Sequence, residues 1–280
     1  MRDAPVWLIT GCSTGFGREL AKAVLDKGYR AVVTARRVET VRDLVDGREG
    51  QAIALRLDVT EREHVTDVVT RAEETFGRID VLVNNAGIGY FGAIEESDED
   101  EVRRMFEINF WGLARMTRAA LPGMRRRRSG HIVNVASIGG LKAFPAVGYY
   151  NASKFAVVGF SEALAHETGP LGVRVTIVEP SGFRTDWAGR SANEAPTQIA
   201  DYAETAGRNR ATLRGNSGRQ PGDPARAAAA IIQVVESDQP PLHLLLGRGA
   251  LRGARQKVES MTRDFDAWAQ VTEGADFPAS

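Results

Sequence analysis

Tyr150 and Lys154 stand four residues apart in a stretch that reads as a helix, so a phenol and an ammonium share one face. Tyr149 is five residues from Lys154 and points elsewhere. Ser137 follows a predicted strand, at the carboxyl edge of the sheet where sites of open α/β folds form. Asn109 falls midway along a predicted long helix, beside Phe110 and Trp111. Asparagine is a poor helix-interior residue, so that position asks for a reason. A second group points to a phosphate-bearing cofactor. The run Thr10-Gly11-Cys12-Ser13-Thr14-Gly15-Phe16-Gly17 links a buried strand to a helix. Glycines there permit a tight turn and bring a pyrophosphate close to the N–H groups that open the helix. The spacing is G-x-x-x-G-x-G rather than the commoner G-x-G-x-x-G. The end of the second strand reads the adenosine ribose, an acid suiting NAD and an arginine the 2′-phosphate of NADP. Arg36 and Arg37 occupy it with no acid, which favours NADP(H) over NAD because guanidinium grips phosphate bidentately. Asp58, after the third strand, suits the adenine amino group or an ordinary turn.

Short apolar runs that mark strands buried on both faces occur at 6–10, 31–35, 52–57, 79–83, 132–136, 173–178 and 242–246. Between them lie helical periodicities, ending at Gly28 for the first and spanning 61–76, 98–126, 149–168 and 225–235 for others. Ser97 or Asp98 caps the long helix, and Pro122 kinks or ends it. This alternation predicts an α/β doubly wound Rossmann fold, with about seven parallel strands covered by helices on both faces. It reads as a single domain over residues 1–247. The stretch 183–224 is irregular and long, which predicts a substrate lid with a short helix around 199–211. Beyond Gly247, Leu251, Ala254, Val258, Met261, Phe265 and Trp268 alternate steps of three and four, so 248–280 reads as a helical extension. It packs on its own domain, meets another subunit, or walls the substrate site.

In family order and on the expected elements, these residues resemble the short-chain dehydrogenase/reductase family of single-domain length. The matching pieces are Thr10 to Gly17, Asp58-Val59, Asn84-Asn85-Ala86-Gly87, Asn109, Ser137, Tyr150-Asn151-Ala152-Ser153-Lys154 and Pro180, covering residues 5 to about 247. More loosely, the chain resembles the branch acting on steroids and retinol. The resemblance implies that Tyr150 is the general acid/base, that Ser137 holds the substrate oxygen, and that Lys154 holds the nicotinamide ribose. It further implies that Asn109 anchors a proton-relaying water and that hydride passes between cofactor and a secondary alcohol, ketone or aldehyde. A free tyrosine titrates near pH 10, so work near pH 7 needs about three units of lowering, supplied by Lys154 and the oxidised nicotinamide. Cofactor contacts are implied for Gly11, Ser13, Thr14, Gly15, Phe16, Gly17, Asp58, Val59, Asn85, Ala86, Gly87, Pro180, Gly182 and Thr185. Ser181 stands where the family usually has glycine after Pro180, and Gly182 is expected to compensate.

The balance of 36 Lys plus Arg against 36 Asp plus Glu gives no global field for nucleic acid or an anionic membrane. The run Arg125 to Arg128 reads as a solvated helix end. The four histidines and Cys12 have no metal-ligand spacing, so no metal site is expected. Cys12 alone allows no disulfide within the chain, and Met1-Arg2-Asp3 opens no signal peptide, so a cytoplasmic protein is expected. Gly89-Tyr90-Phe91 and Phe144 are pocket walls or core. The partners expected are a small, hydrophobic alcohol or carbonyl substrate and further copies of the chain, as a homodimer or homotetramer. Two other readings on the same fold are a non-catalytic dinucleotide sensor and a sugar-nucleotide epimerase or dehydratase. A sensor has no need of Ser137, Tyr150 and Lys154 together, and the second branch carries G-x-x-G-x-x-G.

Overall fold

The computed structural model describes residues 4–277, so the Met1-Arg2-Asp3 start lies outside the described residues. The first half alternates β1 (Val6–Ile9), α1 (Gly15–Asp26), β2 (Arg30–Ala35), β3 (Ala52–Arg56), α2 (Arg62–Phe76) and β4 (Val81–Asn84). A short β5 (Gly89–Phe91) follows, then α3 (Glu99–Phe106) and α4 (Leu113–Arg127). The second half runs β6 (Gly130–Val135), α5 (Gly148–Thr168), β7 (Val173–Pro180), β8 (Ala192–Glu194), α6 (Arg208–Gly215), α7 (Pro224–Glu236), β9 (His243–Leu246) and α8 (Arg248–Glu273). Seven parallel strands form one sheet in the order β3-β2-β1-β4-β6-β7-β9, the predicted doubly wound arrangement. The order reverses between β1 and β4, where such sheets open a crevice at their carboxyl ends.

Alternation along β1 builds both cores. Trp7 and Ile9 join Leu20 and Val24 of α1 and Ile231 and Ile232 of α7. Leu8, pointing the other way, joins Val68 of α2 and Met116 and Met124 of α4. All three strand residues are fully buried, which is why the strand reads as a continuous apolar run.

Two segments differ from the sequence expectation. The expected helix over 98–126 is capped by Asp98, whose carboxylate accepts from the Glu101 amide at 3.0 Å. It is then interrupted by a π turn over Glu107–Gly112, where Gly112 lets Val59 pack against the backbone. Pro122 does not end it, since α4 continues to Arg127. The stretch 183–224 is not irregular: β8 pairs in parallel with β5, and helical turns over 200–207 lead into α6. Helical backbone thus runs without a break from Ala200 to Gly215, covering the expected helix around 199–211 and extending it by one turn. The Arg214 guanidinium donates to the carbonyls of Ala188 (3.0 Å), Gly189 (2.6 Å) and Ala192 (2.9 Å) and lies 4.7 Å from the Phe91 ring centre.

This segment is also pinned through a buried ion pair. Glu96 accepts from the Ala93 amide at 2.9 Å and the Ile199 amide at 2.8 Å, and faces Arg210 at 3.5 Å. Burial alone would raise its carboxyl, but the two amides and the guanidinium outweigh it and hold Glu96 below the usual range. Its contribution is thus present at neutral pH and is lost only as pH falls through that lowered value. Glu96→Gln leaves Arg210 buried without a carboxylate, a change that costs about 3–5 kcal/mol for buried pairs. Limited trypsin digestion of the variant is expected to cut within 184–219 at least about tenfold faster than in the parent chain; equal rates would show that the pair does not hold the segment.

Candidate active site

The crevice begins at Thr10. Its Oγ1 accepts from the Asn85 amide at 2.9 Å and the Ala86 amide at 3.0 Å, while the Asn85 Nδ2 donates to the carbonyls of Thr10 (2.9 Å) and Gly11 (3.0 Å). The loops after β1 and β4 are thereby knotted together. Gly17 is required by this approach: a Cβ there would lie 2.4 Å from the Gly11 oxygen and 2.5 Å from the Asn85 Nδ2. Gly15 has φ +58°, and Thr185 from the far side of the cleft packs where its Cβ would point. Cys12 is a small buried loop residue whose thiol donates to the Ile9 carbonyl at 3.2 Å, and burial pushes it up to about 12, so it stays unreactive.

Above the loop lies a cleft of about 520 Å³ lined by Ser13, Thr14, Gly15, Arg18, Arg184 and Thr185, among others. A glycine turn whose Cβ positions are forbidden, free amides opening α1, and a cleft of this size fit a dinucleotide pyrophosphate. Arg36 and Arg37 are exposed just past β2, and neither side chain has a hydrogen bond or ion pair among the described residues. Asp58 serves the turn into α2, its Oδ1 accepting from the Thr60 amide (3.0 Å) and hydroxyl (2.8 Å). Val59 is buried against Gly112. Among the described residues no cluster of three His, Cys, Asp or Glu side chains could hold a metal.

From the knot, the chain leads to the tyrosine. Gly87 lies between Asn109 and Lys154: a Cβ there would sit 3.2 Å from the Asn109 Oδ1 and 3.7 Å from the Lys154 Nζ. Asn109, in the π turn, clasps Ile88 by accepting its amide proton at 2.8 Å and donating to its carbonyl at 2.9 Å. Its Nδ2 also donates to the Ser153 hydroxyl at 3.2 Å, which in turn donates to the Tyr150 carbonyl at 2.7 Å. The π turn gives the reason for an asparagine inside a helix: the side chain must reach across to the β4–β5 loop. Ser153 stood inside the sequence motif without an assigned role, and only this contact gives it one.

Ser137, Tyr150 and Lys154 do come together. Ser137 and Tyr150 meet over Gly139, where a Cβ would lie 3.3 Å from the Ser137 Oγ and 3.5 Å from a Tyr150 ring carbon, and the Lys154 Nζ lies 5.8 Å from the Tyr150 ring centre while donating to the Val135 carbonyl at 2.9 Å. Trp187 covers the phenol, with ring centres 4.9 Å apart, and itself meets Phe91 at 5.5 Å. No signal within the sequence marked Trp187, because its contact depends on how 183–224 folds back. Burial pushes Tyr150 up to about 12, the neighbouring Ser137 hydroxyl only partly opposing it. Lys154 is lowered to about 8 by the same loss of water. At neutral pH the phenol therefore stays protonated beside the ammonium.

Ser181, in place of the usual glycine, donates to the Leu246 carbonyl at 3.3 Å. Gly247 (φ +90°), not Gly182, makes room for it, since a Cβ on Gly247 would lie 2.5 Å from the Ser181 Oγ. Pro180 ends β7, and Thr185 caps the next turn by accepting from the Trp187 amide at 3.4 Å.

Residues 5–196 match the short chain dehydrogenase family. The chain belongs to that family. It is accordingly an oxidoreductase on the Rossmann fold of that family. It is 37% identical over 269 residues to an oxidoreductase of Botryotinia fuckeliana, covering 95% of this chain and 97% of that one. It is also 37% identical over 241 residues to the 3-ketodihydrosphingosine reductase of Bacteroides thetaiotaomicron, covering 86% and 87%. A short-chain dehydrogenase structure from Streptomyces avermitilis superposes with a TM-score of 0.92 at 42% identity, over 99% of this chain and 100% of that one. More distant structures hold nicotinamide dinucleotides. A Thermococcus sibiricus alcohol dehydrogenase carries 5-hydroxy-NADP (26% identity, TM-score 0.72, covering 87% and 96%). A Burkholderia phymatum member carries NAD (27% identity, TM-score 0.81, covering 99% and 98%). Among the described residues no helix is long and apolar enough to cross a membrane.

The lowered Lys154 makes a stability prediction with a definite sign. A lysine moved from 10.5 to about 8 penalises folding fully below about pH 8 and not at all above about pH 10.5. At about 1.4 kcal/mol per unit the full penalty is about 3 kcal/mol. Lys154→Met, though it loses the Val135 hydrogen bond, is expected to melt several degrees higher at pH 7. The gain should shrink between pH 8 and 10.5 in calorimetric scans; a lower melting temperature at pH 7 would contradict it.

Proposed function

We propose that the protein is an NADP(H)-dependent oxidoreductase interconverting a hydrophobic secondary alcohol with its ketone, or handling the related aldehyde. The observation that carries this reading is the Ser137–Tyr150–Lys154 cluster, dried by Trp187 beside a cleft that fits a dinucleotide. The nicotinamide supplies or accepts the hydride. Tyr150 moves the proton as general acid/base. With its phenol pushed up to about 12 by burial, it stays protonated at neutral pH and is ready to donate to a carbonyl oxygen. Ser137 orients that oxygen by hydrogen bonding. Lys154 holds the nicotinamide ribose and supplies positive charge beside the phenol. Asn109 fixes the Gly87–Ile88 loop through its side chain and borders the path by which a water returns the proton.

The glycine loop, Asp58, Val59, Asn85, Ala86, Gly87, Pro180, Gly182 and Thr185 complete the cofactor contacts in this reading. Arg36 and Arg37 take the 2′-phosphate, a role supported by their exposure and freedom from carboxylate partners. A hydrophobic substrate is supported by the wall of Trp187, Phe91 and partly exposed Phe144, and by relatives named for 3-ketodihydrosphingosine and retinol. In this reading residues 1–247 work as one catalytic domain, with 183–224 as its substrate lid, in the cytoplasm. Exposed Trp111 before α4 and Phe155 on α5 support self-association into a homodimer or homotetramer through those helices.

The reading is tested by following absorbance at 340 nm with a panel of apolar ketones and alcohols and both cofactors. Tyr150→Phe is expected to lower kcat by about 10²–10⁴-fold with the cofactor affinity little changed; turnover near the parent's would rule out the proton role. Arg36→Ser combined with Arg37→Ser is expected to weaken NADPH binding by about 10–100-fold and NADH binding far less. Equal losses for the two cofactors would remove the 2′-phosphate assignment.

A further inference from the structure

α8 carries an apolar stripe that its own domain leaves uncovered. Contact with the domain is confined to its beginning, where Ala250 and Gly253 are buried, Gly253 lies against Ile138, and the Lys142 Nζ donates to the Gln256 Oε1 at 3.0 Å. Every residue from Met261 to Phe277 is exposed. The helix thus projects into solvent for roughly 20 Å at about 1.5 Å per residue. Along it Leu251, Ala254, Val258, Met261, Phe265 and Trp268 recur at alternating steps of three and four, the seam of a coiled coil. Val258, Phe265 and Trp268 are 65%, 62% and 65% exposed, which is unusual for an ordered aromatic stripe.

The charges on this helix say what covers the stripe. Every charged residue from Arg248 to Lys257 is basic (Arg248, Arg252, Arg255 and Lys257), and every one from Asp264 to Asp276 is acidic (Asp264, Asp266, Glu273 and Asp276). Between them Glu259 and Arg263 pair with each other at 3.2 Å. This is the reverse of what stabilises a lone helix, whose positive end favours acids and whose negative end favours bases. The first turn holds no acid and the last turn no base. An antiparallel neighbour of the same sequence reverses the problem: it sets basic half against acidic half twice and opposes the two dipoles. A parallel neighbour would set like against like. An anionic membrane would be repelled by the exposed acidic half that carries Phe265 and Trp268.

We infer that α8 is an assembly arm that pairs antiparallel with α8 of a second copy of this chain, around a two-fold axis near the middle of the helix. The pairing is isologous, so one face serves both copies. It is separate from association through the faces bearing Trp111 and Phe155.

The full-length chain is to be sized by light scattering across micromolar concentrations. Phe265→Glu with Trp268→Glu is expected to halve the mass of the assembly while leaving the melting curve of the domain in place. An unchanged mass would overturn the proposal, as would a parent chain that stays monomeric. The orientation has its own test. Arg252→Glu with Arg255→Glu cancels the net positive charge of the first half, and Asp266→Lys with Glu273→Lys cancels the net negative charge of the second. Each variant alone is expected to pair at least about tenfold more weakly than the parent, and an equimolar mixture of the two to recover pairing. No recovery in the mixture, or recruitment of the parent chain to phosphatidylserine-containing vesicles with loss of self-association, would overturn it.

Discussion

The close approach of the loops after β1 and β4 is the constraint on which the rest of the site hangs. Gly17 has no room for a side chain because Gly11 and Asn85 already fill that space, and Thr10 binds two amides of the other loop. From this knot a continuous polar chain passes through Gly87 and Ile88 to Asn109, then Ser153, then the Tyr150 carbonyl. The glycine loop and the tyrosine helix are therefore positioned by one network rather than by separate packing. A network of this kind is costly when any member is left unpaired, which is why each bond has a specific partner.

The same burial that orders the site sets its chemistry at rest. Removing water raises Tyr150 and lowers Lys154, so both groups are driven toward their neutral forms. A buried phenol held protonated and a lysine near its titration point form a pair whose protonation depends on any charge placed beside it. A positively charged ring bound beside the phenol would shift it toward ionisation. The chain itself supplies dryness and geometry.

The segment over 183–224 shows how a stretch of weak local signal becomes ordered. Its order comes from Arg214 gathering three carbonyls, from Glu96 and Arg210 paired in the interior, and from β8 extending β5. All of these partners lie far along the chain or have no periodic pattern, so no window of residues announces them. Trp187 reaches Tyr150 only because this scaffold folds back over α5.

The strands, their order of succession and the spacing of Tyr150 and Lys154 were legible in the sequence because they are local: period-two and period-3.6 patterns, turn glycines, and residues four apart on one helix. The glycine loop and the two arginines past β2 were legible for the same reason. Tertiary structure alone decided that Asn109 sits in a π turn, that Gly247 rather than Gly182 accommodates Ser181, and that Pro122 leaves its helix running. It also decided the direction in which Tyr150 is shifted, because the loss of water around a side chain is a property of everything packed about it. For the stripe on α8 the periodicity was written in the sequence, but its being left uncovered emerged only when burial along the helix proved to stop at Ser260.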